Sequence, residues 1–275
     1  MKLNTQLVTA LLLSSVQVAS ATPYSPFYDT TWGGPVQISE HFNASSNYSG
    51  FNSVEATLVM PRLSLPQNPR EVVDQYTAFF WLGLDGFVPS TGGVRGLWQA
   101  GVTMSIWDNG TTEYSGFHEW IPDDPISLSK TQLAISEGEH IRVSVNTTDA
   151  GYHGATTFTN LNTSQTFSHS QDAAKLPRGP TFPSPGASAE WIMEAGTYLN
   201  YTQVIFPDWG NATILNARAC YSSGECIKPG DLDTGENDTR MTVVLWNDTQ
   251  TVYTESSVDG DCVRIAYVEK LLRDV

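Results

Sequence analysis

Two glutamates four residues apart bracket a tryptophan in the stretch Ala189-Glu190-Trp191-Ile192-Met193-Glu194-Ala195. Carboxyls so placed could be a catalytic acid and base, one catalyst beside a bystander, or ordinary solvated charge. In an extended strand Glu190, Ile192 and Glu194 share one face, and Ala189, Trp191, Met193 and Ala195 share the other. The second set is apolar enough to be a core, which leaves the two acids on the open face. A glycosidic pair is one reading, since sandwich glycosidases place acids on one strand. Four strand residues, however, span roughly 13 Å between Cα atoms, against the ~5 Å carboxyl separation of a retaining pair. The intervening position that would hold a helper acid is Ile192. Trp81, Trp98 and Trp191 could stack sugars, although aromatic residues in strands are more often packing.

An amide offers a different partner for one acid. In Leu-Trp-Gln-Ala-Gly-Val-Thr-Met-Ser-Ile, residues 97–106, one face carries Trp98, Ala100, Val102, Met104 and Ile106, and the other carries Gln99 among small or polar residues. In Phe-Phe-Trp-Leu-Gly-Leu-Asp-Gly, residues 79–86, Phe80, Leu82 and Leu84 oppose Phe79, Trp81, Gly83 and Asp85. Strands buried on one side and lined with Trp, Gly and Asp on the other read as the floor of a groove. There a carboxylate such as Glu190 could take a proton from water, while an untitratable amide such as Gln99 donated to an oxyanion.

Other constellations fail on their own chemistry. Asp233-Thr234-Gly235 spells half of a pepsin-like site, but two such turns must face each other to share a proton, and no second one exists. It reads as a surface turn. There is no Gly-x-Ser-x-Gly elbow. The five histidines are scattered and no Cys/His cluster has zinc spacing, so neither a metal nor another cofactor is expected.

The elements that must position these residues are short runs rich in Val, Ile, Thr, Tyr, Phe and Trp, separated by Gly, Asn, Asp, Ser and Pro. They fall at 54–60, 78–84, 97–106, 140–145, 155–160, 203–206, 212–217, 241–245 and 263–268, with the 189–195 stretch as another. Helical periodicity is almost absent. The spacing predicts an all-β antiparallel sandwich or barrel. A Pro-rich insert at 170–188 leads straight into Glu190.

The first 21 residues have a basic start at Lys2, an apolar run at 7–13 and a small-residue Ala19-Ser20-Ala21 end. They read as a secretory signal peptide cleaved after Ala21. Residues 22–31 form a short leader ahead of a domain at 32–275. Nine Asn-x-Ser/Thr sequons, at Asn43, Asn47, Asn109, Asn146, Asn162, Asn200, Asn211, Asn237 and Asn247, suit a secreted glycoprotein carrying N-glycans. A net charge of −15 repels nucleic acid and anionic lipid and suits an acidic medium, so neither nucleic acid nor membrane is expected as a partner. Three cysteines, Cys220, Cys226 and Cys262, imply one bridge and one thiol left over. The loop between Cys220 and Cys226 is short enough to close, but all three pairings remain open.

Four motifs then coincide. Trp-Leu-Gly-Leu-Asp-Gly (81–86), Leu-Trp-Gln-Ala-Gly-Val (97–102), Gly-Phe-His-Glu-Trp-Ile-Pro-Asp (116–123) and Ala-Glu-Trp-Ile-Met-Glu (189–194) together resemble the glutamic peptidases, or eqolisins. These are pepstatin-insensitive acid endopeptidases secreted mainly by fungi. The resemblance extends from Thr-Trp-Gly-Gly-Pro-Val-Gln-Ile (31–38) to the segment 254–268. It implies a two-sheet antiparallel β-sandwich, a jelly roll similar to the concanavalin-type lectins, with the site on a concave sheet. It also implies a dyad of Gln99 and Glu190. The glutamate would act as base on water and return the proton to the leaving amine, while the glutamine holds the oxyanion. Site-lining positions carry over to Trp81, Asp85, Glu119 and Trp191. The resemblance further implies that residues 22–31 are a vestigial pro-segment and 32–275 the catalytic domain.

The chain departs from the family between Asp85 and Gln99, where it is longer, and at Thr103, Ser115 and Phe117, where Asp or Trp is frequent. The family's cysteines are not matched. The resulting expectation is a secreted, monomeric acid endopeptidase acting on protein or peptide substrates. Glu190 is expected at or below the ordinary carboxylate pKa, with Asp85 or Glu119 protonated, and Glu194 as a neighbour at the strand's end. A carbohydrate-binding or glycoside-hydrolysing sandwich, or an inactive family member, is the alternative.

Overall fold

The alternating segments become strands because each places every second side chain against an opposing sheet. A computed structural model describes residues 26–42, 50–67, 73–87, 96–178, 182–196, 206–229, 231, 239–244 and 251–271. The signal segment, the Asp233-Thr234-Gly235 turn, most of 203–206 and the sequons at Asn43, Asn47, Asn200, Asn237 and Asn247 lie outside the described residues.

In chain order the strands are β1 (Pro26–Asp29), β2 (Trp32–Ile38), β3 (Phe51–Val59), β4 (Gln75–Leu84), β5 (Leu97–Trp107), β6 (Thr112–Ile121), β7 (Ile126–Ser127) and β8 (His140–Thr148). They continue as β9 (His153–Asn160), β10 (Thr166–Asp172), β11 (Ser188–Glu194), β12 (Asn211–Tyr221), β13 (Cys226–Ile227), β14 (Thr239–Val244), β15 (Thr251–Asp259) and β16 (Cys262–Leu271). Among the described residues the only helical pieces are two 3-10 turns, Asp149–Gly151 and Ala173–Lys175.

Two sheets result. One runs β1-β14-β2-β11-β4-β5-β6-β7, and the other β10-β9-β8-β3-β12-β16-β15 with β13 beside β12. The antiparallel sandwich expected from the sequence is present, with one parallel pair, β1 against β14. Between the sheets, Phe80, Leu82 and Leu84 of β4, Trp98, Val102 and Met104 of β5, and Trp191 and Met193 of β11 pack with Val54 and Leu58 of β3 and Ile141 and Val143 of β8. Each such side chain contributes about 1.5–3 kcal/mol through burial. Cys220 pairs with Cys226, and Cys262 is the free, half-buried thiol.

The outer face of the first sheet corrects the sequence reading. It is not a small and polar floor but carries a second apolar cluster of Val36, Trp81, Phe87, Leu97, Phe117 and Ile192. Phe27, Trp32, Ile38, Phe79 and Ile121 flank that cluster. The central strands are therefore largely apolar on both sides, and Gln99 and Glu190 at their centre sit in a dry setting.

Candidate active site

Strand register, rather than sequence spacing, assembles the polar groups on this outer face. Glu190 of β11 pairs with Gly83 of β4, Gly83 pairs with Gln99 of β5, and Gln99 pairs with Glu119 of β6. These four residues form one row running straight across the sheet. Glu190 and Gln99 are two strands apart, roughly 10 Å between Cα atoms. Gly83 places no side chain between them, and Leu97, Trp81 and Gln99 close in over it. A Cβ there would stand 3.1 Å from Gln99 Cβ, 2.9 Å from Leu97 Cδ1 and 3.0 Å from Trp81 Cζ3.

Burial isolates Glu190 and Gln99 from water, while Glu119 at the end of the row is half-buried. Glu190 is 0% exposed and Gln99 2%. Gln99 Nε2 donates to Glu119 Oε2 at 2.6 Å. Gln99 Oε1 and both carboxyl oxygens of Glu190 are buried without a hydrogen-bond partner. Unpaired polar atoms of this kind cost of order 1–3 kcal/mol each, which a stable fold rarely carries without a use for them.

The electrostatics follow from that dryness. Burial pushes the Glu190 carboxyl well above its ordinary 4.5, and the negative charge of Asp85 raises it further. The Ser188 hydroxyl pulls the other way without closing a hydrogen bond of ordinary geometry. This overturns the expectation of a low pKa for Glu190. Burial raises Glu119 to about 7, opposed by the Gln99 amide and assisted by Asp124. Of the two carboxyls expected to hold a proton in acid, Glu119 is thus well suited to do so.

Asp85 has the opposite character. It sits just past β4 with φ 69° and 0% exposure. Its Oδ2 accepts from Gly186 N at 2.6 Å, its Oδ1 accepts from Ala187 N at 2.6 Å, and the Ser184 hydroxyl lies 3.0 Å from Oδ2. Gly186, at φ +82°, brings its own N–H to the carboxylate where an L side chain would be strained. Asp85 therefore ties the segment that delivers β11, and hence Glu190, to the end of β4.

The tryptophans fall into two groups. Trp191 and Trp98 are buried between the sheets, with Trp191 backing the strand that holds Glu190. Trp81 lies on the outer face over Gly101, where a Cβ would meet Trp81 Cβ at 2.5 Å. Its Nε1 donates to Glu194 Oε2 at 2.7 Å. None of the three offers an open platform for stacking a sugar, being at most 1% exposed.

Glu194 is the site residue that sequence reasoning undervalued. It stands at the end of β11 as expected, half-buried and held by an indole rather than idle. Burial raises its carboxyl to about 8, with Glu119 and Asp29 adding to the rise and the indole N–H groups of Trp81 and Trp32 opposing it. The signal available in sequence was its shared face with Glu190. The cross-strand indole could not be read without register.

Comparison with known proteins bears on the site's chemistry. The profile described as Peptidase A4 family matches residues 30–267. Aspergillopepsin-2 of Aspergillus niger is 30% identical over 258 residues, covering 88% of this chain and 78% of that protein. The crystal structure of a scytalido-glutamic peptidase with a transition state analog inhibitor superposes with a TM-score of 0.65 at 24% identity, covering 87% of this chain and 99% of that one. That likeness extends the shared features to the two-sheet fold.

Proposed function

This chain belongs to the peptidase A4 family, the glutamic endopeptidases, and we propose that its hydrolytic site is the pair Glu190 and Gln99. The observation that carries this reading is their common row across the sheet, with no side chain at Gly83 between them. A substrate carbonyl over Gly83 would have a carboxyl on one side and an amide on the other.

In the reaction, ionised Glu190 removes a proton from water as its oxygen attacks the carbonyl carbon. The Gln99 amide donates to the oxyanion that forms, at full strength in a dry site. Glu190 then gives its proton to the amide nitrogen, the C–N bond breaks, and a carboxylic acid and an amine leave. Trp81 and Trp191 hold the strands from their two faces, Asp85 fixes the approach to β11, and Glu119 acts on Gln99. No metal or cofactor enters. Burial shifts the base form of Glu190 to higher pH than an exposed glutamate would need, so the acid limb of activity lies above that of an unperturbed carboxylate.

Residues 1–21 act as a secretory signal, and the short leader at 22–31, which contributes β1 to the site sheet, stays with residues 32–275 as a secreted, monomeric catalytic domain. Asn109, Asn162 and Asn211 are exposed and accessible to N-glycosylation. The glycosidic alternative loses ground because Glu194 is held by Trp81 and does not pair with Glu190.

Hydrolysis of an acid-denatured protein between pH 3 and 7 in the presence of pepstatin, by wild type, Glu190→Gln and Gln99→Ala, is the test. Cleavage by wild type, with losses of at least 100-fold in both variants, supports the dyad. Full activity in Glu190→Gln excludes it.

A further inference from the structure

The amide of Gln99 points the wrong way for the role given to it. Its donor atom, Nε2, is turned to Glu119 and gives it one N–H at 2.6 Å, while the acceptor atom of the same planar group, Oε1, has no partner. An oxyanion cannot be held by an amide oxygen. Rotating the amide by 180° exchanges the two atoms at almost no steric change. Oε1 would then face Glu119, and Nε2 would turn to the side of the row away from Glu119. That orientation is favourable only if Glu119 has a proton to donate; an ionised Glu119 is acceptor-only and holds Nε2.

We propose that Glu119 is a positioning residue that sets the direction of the Gln99 amide: protonated, it donates to Oε1 and releases Nε2 toward substrate; ionised, it captures Nε2 and disarms the oxyanion site. The inference rests on the Gln99/Glu190 reading of the site and supplies its regulation by pH. Because the Glu119–Gln99 pair is one register position on adjacent strands, no other part of the backbone needs to move. The groups that act on Glu119 are few. Gln99 faces it from β5, Asp124 lies in the turn after β6, and Glu194 interacts with it from β11. The neighbouring β7 contributes Ile126 and Ser127, neither of which titrates. Burial is the largest influence, so the proton is held to about pH 7.

The switch is tested in two ways on the full chain. The first is the ratio of kcat at pH 8 to kcat at pH 6, with thermal melting recorded at both values to exclude unfolding. Titration of Glu119 alone lowers that ratio about tenfold in wild type. In Glu119→Gln, which can donate an amide proton at every pH, the Glu119 part of that fall disappears and the ratio rises about tenfold, while KM changes little. The second readout needs no activity. In protein labelled with 15N-glutamine, the Gln99 side-chain NH2 signals, assigned by their loss in Gln99→Ala, should shift between pH 5 and 8 in wild type and stay fixed in Glu119→Gln. NH2 signals of Gln99 that do not move with pH in wild type overturn the proposal, as does an unchanged pH ratio in folded Glu119→Gln. If the NMR transition is present and no peptide is cleaved at any pH, the amide switch stands and the peptidase dyad falls.

Discussion

The Trp81 indole N–H donates to Glu194 Oε2 at 2.7 Å, tying the middle of β4 to the last residue of β11. Glu194 thereby becomes part of the dry outer face and shares with Glu119 and Glu190 a carboxyl pushed above its ordinary range. Glu119 raises the cost of ionising Glu194, as Asp85 raises that of Glu190. The face is built to be neutral in acid.

Glu194 is expected to tolerate loss of its charge but not loss of its acceptor. With its carboxyl raised to about 8, it is protonated through the acid range, and Glu194→Gln keeps an oxygen for Trp81. Glu194→Ala leaves a buried indole N–H unpaired and should destabilise by about 1–3 kcal/mol. Chemical denaturation at pH 5 checks this; equal losses in the two variants would contradict it.

Gly83→Ala should damage activity more than folding. Its Cβ would meet Leu97, Trp81 and Gln99 at 2.9–3.1 Å and fill the space between the dyad. Overpacking of this degree costs about 1–3 kcal/mol, whereas loss of the gap should lower kcat/KM by at least tenfold. Side-by-side melting and peptide hydrolysis decide it, and an active Gly83→Ala enzyme would move the reaction centre elsewhere.

Asp85→Ala is expected to loosen the approach to β11. It removes the acceptor for the N–H groups of Gly186 and Ala187, both at 2.6 Å, in a fully buried setting. A loss of about 3 kcal/mol or more follows from leaving two buried donors unpaired. Urea unfolding at pH 5 should show it, and Asp85→Asn, which keeps one acceptor, should fall between the two.

Much of this site was legible because alternation fixes faces. Gln99, Gly83, Glu190 and Glu194 could each be assigned to the side opposite Trp98, Leu82 and Trp191 from sequence alone. What alternation cannot supply is register, the lateral pairing that sets Glu190 beside Gly83 and Gln99 beside Glu119. Register here depends on contacts between residues 107 and 20 positions apart. Nor could sequence show that the outer face is dry, because Val36, Phe87, Leu97 and Phe117 come from separate segments and become one cluster only in the fold. The low pKa expected for Glu190 failed for that reason. The His118–His169 stack, which joins β6 to β10, went unread for the same cause: two scattered histidines carry no signal until the sheets meet.

The stability of the protein should fall as pH rises through the range of the buried carboxyls. Glu119 and Glu194 bind protons more tightly folded than unfolded, with pKa values of about 7 and about 8 against 4.5. Their contribution is complete below 4.5 and is lost between 4.5 and 8, up to about 3 kcal/mol for Glu119 alone. Melting temperatures from pH 4.5 to 8 should therefore decline, less steeply in Glu119→Gln. A flat profile would mean that the outer face is wet.

His118 works in the opposite sense at the other end of the scale. Its ring is 2% exposed and stacks on His169 at 4.2 Å with 19° between planes. Burial, and then the charge of His169, lower its pKa from 6.5 to about 4. The folded protein therefore resists a proton that the unfolded chain accepts, and stability falls as pH drops from 6.5 toward 4, by up to about 3 kcal/mol. This loss overlaps the carboxyl gain, so the net optimum should be weakly acidic. His118→Phe replaces the imidazole with a ring suited to neighbours Trp98 and Phe167 and removes the titration. The variant should gain stability relative to wild type on going from pH 7 to pH 4, by roughly 2–3 kcal/mol in urea unfolding. An identical difference between the two proteins at both pH values would show that His118 does not govern the acid limit of the fold.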